Sequence, residues 1–216
     1  MVLILDGATI TDTAGPAIEV TAADDVVLSL SGDNAVSDAS SYEDSASANA
    51  AVYADADLTI TGQGTLKVSG NGNDGITSTD DLHVLSGTLD VDAADDGLRG
   101  KDSLTVAGGT VSVNTGGDGL KSDQDADATQ GYVHISGGTV GVTSAGDGID
   151  AHTDVVLTGG SVGVTSGGGA AAGKTETSAK GLKAGTFLVA EGASVEVDSG
   201  DDALHSTGAL RLSSGT

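Results

Sequence analysis

The chain has no cysteine, one proline, one methionine and only four aromatic residues among 216 positions. Without cysteine there is no disulfide framework and no cysteine-based zinc or redox site. With so few aromatics, core packing falls to Val, Leu, Ile and Ala, and stacking platforms for neutral sugars are nearly absent. Tyr42 is the best available platform, while Tyr53, Tyr132 and Phe187 read as packing. Long hydrophobic runs are also missing. The opening MVLILDG holds five apolar residues before Asp6, too few for a signal-peptide core or a membrane span. It reads as a strand.

Positive charge is scarce as well. Eight Lys and Arg stand against 32 acids, for a net charge of −24. Nucleic acid needs a basic patch to replace its counterions, so it is excluded as a partner. Anionic membrane surfaces are excluded on the same ground. Of the acids, 27 are Asp and 5 are Glu. A merely solvating surface would use either, whereas short, rigid Asp in turns suits hard-cation sites.

What the chain does have is a repeat. Gly75, Gly97 and Gly119 follow one another at 22 residues, and Gly148 follows at 29, the same period plus a seven-residue insertion. So short a unit cannot bury an apolar face alone, and its copies must stack. Within each unit the apolar residues alternate as strands require. A first strand carries Ile76, Leu98, Leu120, Ile149, Leu182 and Leu204. A second carries pairs such as Leu82/Val84 and Val133/Ile135, and a third carries pairs such as Leu89/Val91 and Val162/Val164. Glycine corners separate the second from the third. Three strands per coil describe an all-β fold, a right-handed parallel β-helix, in one domain over residues 1–216. An antiparallel sandwich would show hairpin signals rather than register over whole 22-residue units. Inserts are expected at 38–47, 122–130 and 167–178, all flanking the first strand. Both termini read as cuts through a longer solenoid.

Stacking at about 4.8 Å turns equivalent positions into columns. The position before the turn glycine holds Asp74, Asp96, Asp118, Asp147, Lys180 and Asp202, with Asp95 and Asp201 one residue earlier. Carboxylates at that spacing repel by about 1 kcal/mol per neighbour in water, and more at a partly buried corner. Lys180 breaks the column with its own charge. The run from Asp74 to Asp147 has no evident internal answer, and Ca2+ would supply one. Asp74, Asp95, Asp96, Asp118, Asp147, Asp201 and Asp202 are therefore candidate metal ligands, most of all the first four. The competing expectation is that these side chains simply accept hydrogen bonds from turn amides.

Two residues beyond the glycine, an outward column reads Thr77, Arg99, Lys121, Asp150, Lys183 and His205, with Lys101 beside Arg99. Counting Lys180, five of the eight basic residues fall on this strip. Together with Tyr42, the residues Arg99, Lys101, Lys121, Lys183 and His205 are candidates for holding a ligand with regularly spaced carboxylates. The histidines His83 and His134 are separated by the coil holding Thr105, which argues against a paired-histidine metal site.

The turns DDGLRGKD and GDGLKSD, the corners ISGGTV and LTGGSV, and the opening ILDGATITDTAGPAI resemble a secreted bacterial β-helix family of carbohydrate-binding domain-containing proteins. Its relatives include a clostridial protein that binds polygalacturonate and cellulose, and the family is similar in fold to family 9 pectate lyases. The resemblance implies an extracellular or cell-surface, calcium-dependent, non-catalytic binder of acidic plant polysaccharide. Asp74, Asp95, Asp96 and Asp118 match the family's calcium turns. In a pectate lyase, the alternative, Lys101 or Lys121 would be the base. A third expectation is structural: open end coils could stack head to tail into a fibre, so either a monomer or such self-association is consistent with the sequence.

Overall fold

The computed structural model describes residues 1–43 and 45–216. Asp44, inside the insert expected at 38–47, lies outside the described residues. All strand pairing is parallel, in three sheets of eight, nine and eight strands. Sheet 1 runs from Ile18–Val20 through Asp74–Ser78, Leu98–Gly100 and Leu120–Ser122 to Leu204–Ser206. Sheet 2 runs from Val2–Asp6 to Ala209–Ser213, and sheet 3 from Thr9–Thr11 to Ser194–Ser199. This is the right-handed parallel β-helix that the 22-residue period predicts. No helix among the described residues is long and apolar enough to cross a membrane.

Register follows chemistry. Ile76, Leu98, Leu120, Ile149, Leu182 and Leu204 form one unbroken column. The first five of these are fully buried. A one-residue slip would carry each such side chain to the solvent face, so alternation fixes the register. Burying a Leu or Ile contributes about 1.5–3 kcal/mol, and each coil repeats the gain. The corners between sheets 2 and 3 turn on glycines in the left-handed region, among them Gly87, Gly109, Gly138 and Gly160 with φ of 98, 85, 80 and 81°. A side chain there would be strained.

The longest connections between successive strands run from Asp33–Ser37 to Ala50–Ala54, from Leu120–Ser122 to Tyr132–Ile135 and from Ser161–Ser166 to Leu182–Ala184, and each adjoins a strand of sheet 1. All three therefore rim sheet 1, whose outward column reads Glu19, Tyr53, Thr77, Arg99, Lys121, Asp150, Lys183, His205.

Candidate metal centre and carbohydrate face

The acid column forms at the corner leading into sheet 1, and its backbone chemistry is regular. Asp74 Oδ1 accepts the amide of Asp96 at 3.2 Å. Asp96 Oδ1 accepts that of Asp118 at 2.8 Å, Asp118 Oδ1 that of Asp147 at 2.8 Å, and Asp147 Oδ1 that of Lys180 at 2.7 Å. Each carboxylate thus satisfies a turn amide of the next coil. The turn-amide expectation holds from Asp74 to Asp147, and it leaves the second oxygen of each of these carboxylates to find another partner.

Those second oxygens are treated differently along the column. Lys121 Nζ lies 2.9 Å from Asp96 Oδ2 and 2.9 Å from Asp118 Oδ2. Lys183 Nζ lies 2.9 Å from Asp147 Oδ2 and 3.0 Å from Asp150 Oδ2. The expectation that the run to Asp147 lacks an internal answer is therefore corrected. Both lysines reach back one coil, Lys121 to Asp96 and Lys183 to Asp147 and Asp150, and Lys121 also holds Asp118 of its own coil, a geometry invisible in sequence spacing. Burial opposes the Lys121 charge, yet Asp96 and Asp118 together hold its pKa above the usual lysine value.

Asp74 has no such cation. Its Oδ2 accepts the Thr77 hydroxyl at 2.9 Å, and Asn73 donates to its Oδ1 at 3.0 Å. The residue is 3% exposed. Burial, and then the neighbouring Asp96 charge, push its carboxyl up to about 6. Burial also raises Asp96, against the opposing pull of Lys121. The residue placed to neutralise Asp74 by the same reach is Arg99, but its guanidinium turns to Asp123, with Nη2 at 2.8 Å. Asp123 stands at the mouth of the second insert.

Asp74, Asp95 and Asp96 each bring one oxygen to within 4.8 Å of the others. Oxygens that close can share one ion at about 2.4 Å from each, the calcium–oxygen distance. Room for the second carboxylate of this pair comes from Gly117, where a Cβ would meet Asp95 Oδ1 at 2.3 Å and Asp96 Oδ1 at 2.7 Å. The other candidate ligands do not join this group. Asp118 shares Lys121 with Asp96, Asp147 is held by Lys183, Asp201 by Lys174 at 2.9 Å, Lys180 at 3.4 Å and Ser178, and Asp202 by His205 at 3.4 Å. Within the trio, Asp74 and Asp95 are the members without a lysine.

The candidate sugar contacts divide likewise. Arg99, Lys121 and Lys183 spend their charge on the chain's own acids. Lys101, just past Leu98–Gly100, makes no ion pair among the described residues. Lys183 and His205 line a cavity of about 260 Å³ on the sheet 1 face together with Asp123, Asp150 and His152. Tyr42 is not a free platform. Its hydroxyl donates to Asp38 Oδ2 at 2.8 Å and sits 3.1 Å from the Ala50 carbonyl, while its ring packs against Gly72. His83 and His134 flank Thr105 in sheet 2, as their spacing indicates.

The profile of the carbohydrate-binding domain-containing proteins matches residues 1–216. The chain belongs to that family. A carbohydrate-binding domain-containing protein of Acetivibrio thermocellus is 38% identical over 98 residues, which is 43% of this chain and 34% of the relative. The chain thus matches about a third of that relative's length. A solved structure of a polysaccharide lyase-like protein from C. thermocellum, a gadolinium derivative, superposes with a TM-score of 0.78 at 30% identity. The superposition covers all of this chain and 77% of that one. Family membership supports carbohydrate binding, and the face of sheet 1 carries Arg99, Lys121 and Lys183, with the acid corner and the longest connections beside it.

Gly117 and Asp123 were missed by sequence reasoning as parts of the corner, whereas Asn73 stands in the repeat position of Asp95. The repeat alignment holds a signal for Gly117, since Asn73, Asp95 and Gly117 occupy one position of successive coils. Asp123 carries none, because its reach to Arg99 depends on how the insert departs.

Proposed function

We propose that this protein is a calcium-dependent, non-catalytic binder of acidic polysaccharide, acting outside the cell. The observation that carries the reading is the trio Asp74, Asp95 and Asp96, three converging carboxylates with one deeply buried member lacking a basic partner. The donor set is all oxygen, which suits a hard cation. The solved neighbour is a gadolinium derivative, and gadolinium is likewise a hard cation. Asp74, Asp95 and Asp96 would hold calcium, which when bound offers positive charge to a uronate carboxylate. Lys101 is free for a neighbouring carboxylate, and the cavity beside Lys183 and His205 offers space for a ring further along. Lys101 and Lys183 stand three coils apart along sheet 1, roughly 14 Å at the inter-strand spacing, a span that a polymer covers and a monosaccharide does not.

Calorimetric titration with calcium, with and without polygalacturonate, tests this. One calcium per chain and sugar binding that vanishes with chelator are expected. Absence of calcium binding would remove the reading. A lyase is the second reading, favoured by the description of the solved neighbour and by the unpaired Lys101. Steady formation of unsaturated product from polygalacturonate, lost in Lys101→Ala, would replace the first reading with the second.

A further inference from the structure

The cavity of about 260 Å³ on the face of sheet 1 has a chemistry of its own. Its two walls are neighbouring columns of the solenoid. One wall is Asp150, Lys183 and His205, in register along the outward column. The other is Asp123, His152, Gly185 and Thr207, two positions beyond that column in successive coils. Gly185 opens the space between them. A Cβ there would meet the His152 carbonyl oxygen at 1.9 Å, so the backbone itself forbids a side chain and the notch is part of the fold.

Hydrogen-bond capacity in this cavity is unbalanced toward acceptors. Lys183 directs its ammonium at Asp147 Oδ2 and Asp150 Oδ2, which occupies two of its three donors. Asp150 keeps Oδ1 as an acceptor beside that pair. Asp123 accepts Arg99 on Oδ2, while its Oδ1 is buried and has no hydrogen-bond partner. A buried acceptor left unmet is costly, and a donor arriving in the cavity answers it. His205 turns Nδ1 to Asp202 Oδ2 at 3.4 Å, and a neutral ring that donates there presents Nε2 as one more acceptor. Charge runs the same way. Asp123, Asp147, Asp150 and Asp202 border the place against only two fixed cations, Arg99 and Lys183. A further carboxylate is repelled there, and it brings acceptors alone, whereas a hydroxyl also donates.

We propose that this cavity is a subsite for a neutral, hydroxyl-bearing sugar ring carried within or beside an acidic chain. The inference rests on the acidic-polysaccharide reading given above and supplies its specificity. Carboxylates are read at the acid corner and by Lys101, and a ring without one is read further along sheet 1. A polymer of uronates alone enters the cavity against repulsion. A polymer with neutral rings at intervals fills it and meets its acceptors.

Oligogalacturonate of one length provides the probes: unreduced, with part of its carboxylates reduced to primary alcohols, and fully reduced. Amide NMR shifts of the 15N-labelled chain report on the cavity without calcium. In chelator the fully reduced oligomer should move the amides of His152, Gly185 and Thr207, and the unreduced one should not. Thr207→Phe, an exposed position at the cavity's edge, should abolish that response and leave the rest of the spectrum in place. Calorimetry with calcium should then show the partly reduced oligomer binding about tenfold tighter than the unreduced one, the worth of one hydrogen bond to a charged acceptor. Asp150→Asn should erase that preference. Equal shifts from the unreduced and fully reduced oligomers overturn the proposal. A stronger response to an oligomer of amino sugars does so too, because it would mark a subsite for an ammonium. Silence of these amides toward the neutral oligomer overturns it even where calcium-dependent binding of oligogalacturonate is seen. Should oligogalacturonate fail to bind with calcium while the neutral oligomer still moves these amides, the acidic-polysaccharide reading falls and the neutral-ring subsite stands.

Discussion

From Asp96 to Asp147 each carboxylate of the acid corner has a lysine ammonium at 2.9 Å, whereas Asp74, one coil above, has a threonine hydroxyl and an asparagine amide. The two regions share residue type, backbone position and the same hydrogen bond to the next coil. What separates them is the outward column, which offers Lys121 and Lys183 to the lower rungs and diverts Arg99 to Asp123 at the upper one. The lower rungs are thus neutralised by the chain itself, and the upper rung has no lysine, which is where the proposed function would place a cation from solution.

The most direct way to break this contrast is to remove a built-in cation. Lys121→Met leaves Asp96 and Asp118 facing each other at a mostly buried corner. Breaking such a pair costs about 3 kcal/mol, toward the lower end for buried ion pairs because the lysine is partly exposed. Urea unfolding in chelator should show that loss, and calcium should recover much of it by entering the vacated place. Lys183→Met, whose ammonium is more exposed, should cost about 1 kcal/mol. Equal losses in the two variants, or no recovery with calcium, would erase the distinction between lysine-filled and metal-filled rungs.

The pH dependence of the calcium-free protein sharpens the same contrast. Asp74 has a folded pKa of about 6 against an ordinary 3.8. Below the lower value the group is protonated in both states and has no effect. Between the two the folded state holds its proton more tightly, so stability falls as pH rises and is lower by about 3 kcal/mol above pH 6. Asp96 and Asp150 are raised too and act in the same direction. Unfolding midpoints at pH 4, 5 and 6.5 should fall in sequence in chelator, fall less steeply with Asp74→Asn because Asp96 and Asp150 remain, and flatten with calcium. A rise over that interval would mean that burial of Asp74 is less costly than its surroundings imply.

The architecture was legible because it depends on a period. Once Gly75, Gly97 and Gly119 recur at 22 residues, stacking puts Leu98 beside Ile76 and Asp96 beside Asp74 without further information. The columns of the corner and the strip were readable for the same reason. Side-chain reach was not. Lys121 serves Asp96 in the previous coil as well as Asp118 in its own, and Arg99 turns to a residue whose place depends on the path of an insert. Tyr42 shows the same limit, since the packing of its ring on Gly72 and the pinning of its hydroxyl by Asp38 arise from loop geometry that no repeat specifies.

Ligand variants come next in size. Asp95→Asn keeps the shape of the corner while removing the charge of a residue that no lysine serves. Calcium affinity should fall by about 100-fold, at the upper end of what even outer-shell partners of a metal contribute. Asp202→Asn, at the far end of the column and paired only with His205, should leave it unchanged. Both affinities can be read by calorimetry, and a comparable loss in Asp202→Asn would show that the field of the whole acidic chain, rather than the upper corner, captures the ion.

The smallest expected effect bears on why the upper rung is free at all. Asp123→Asn weakens the hold on Arg99, whose guanidinium is otherwise in range of Asp74 and Asp96 electrostatically. Released, Arg99 should turn toward those acids as Lys121 does one coil below, and compete with calcium by about 1 kcal/mol, the strength of a water-screened pair at about 4 Å. Calcium affinity should therefore drop about fivefold, and pairing Asp123→Asn with Arg99→Gln should restore it. The double variant makes this specific. If the single change weakens binding and the pair does not restore it, Asp123 acts through the insert's conformation rather than through the arginine, and the diversion of Arg99 ceases to explain the open corner.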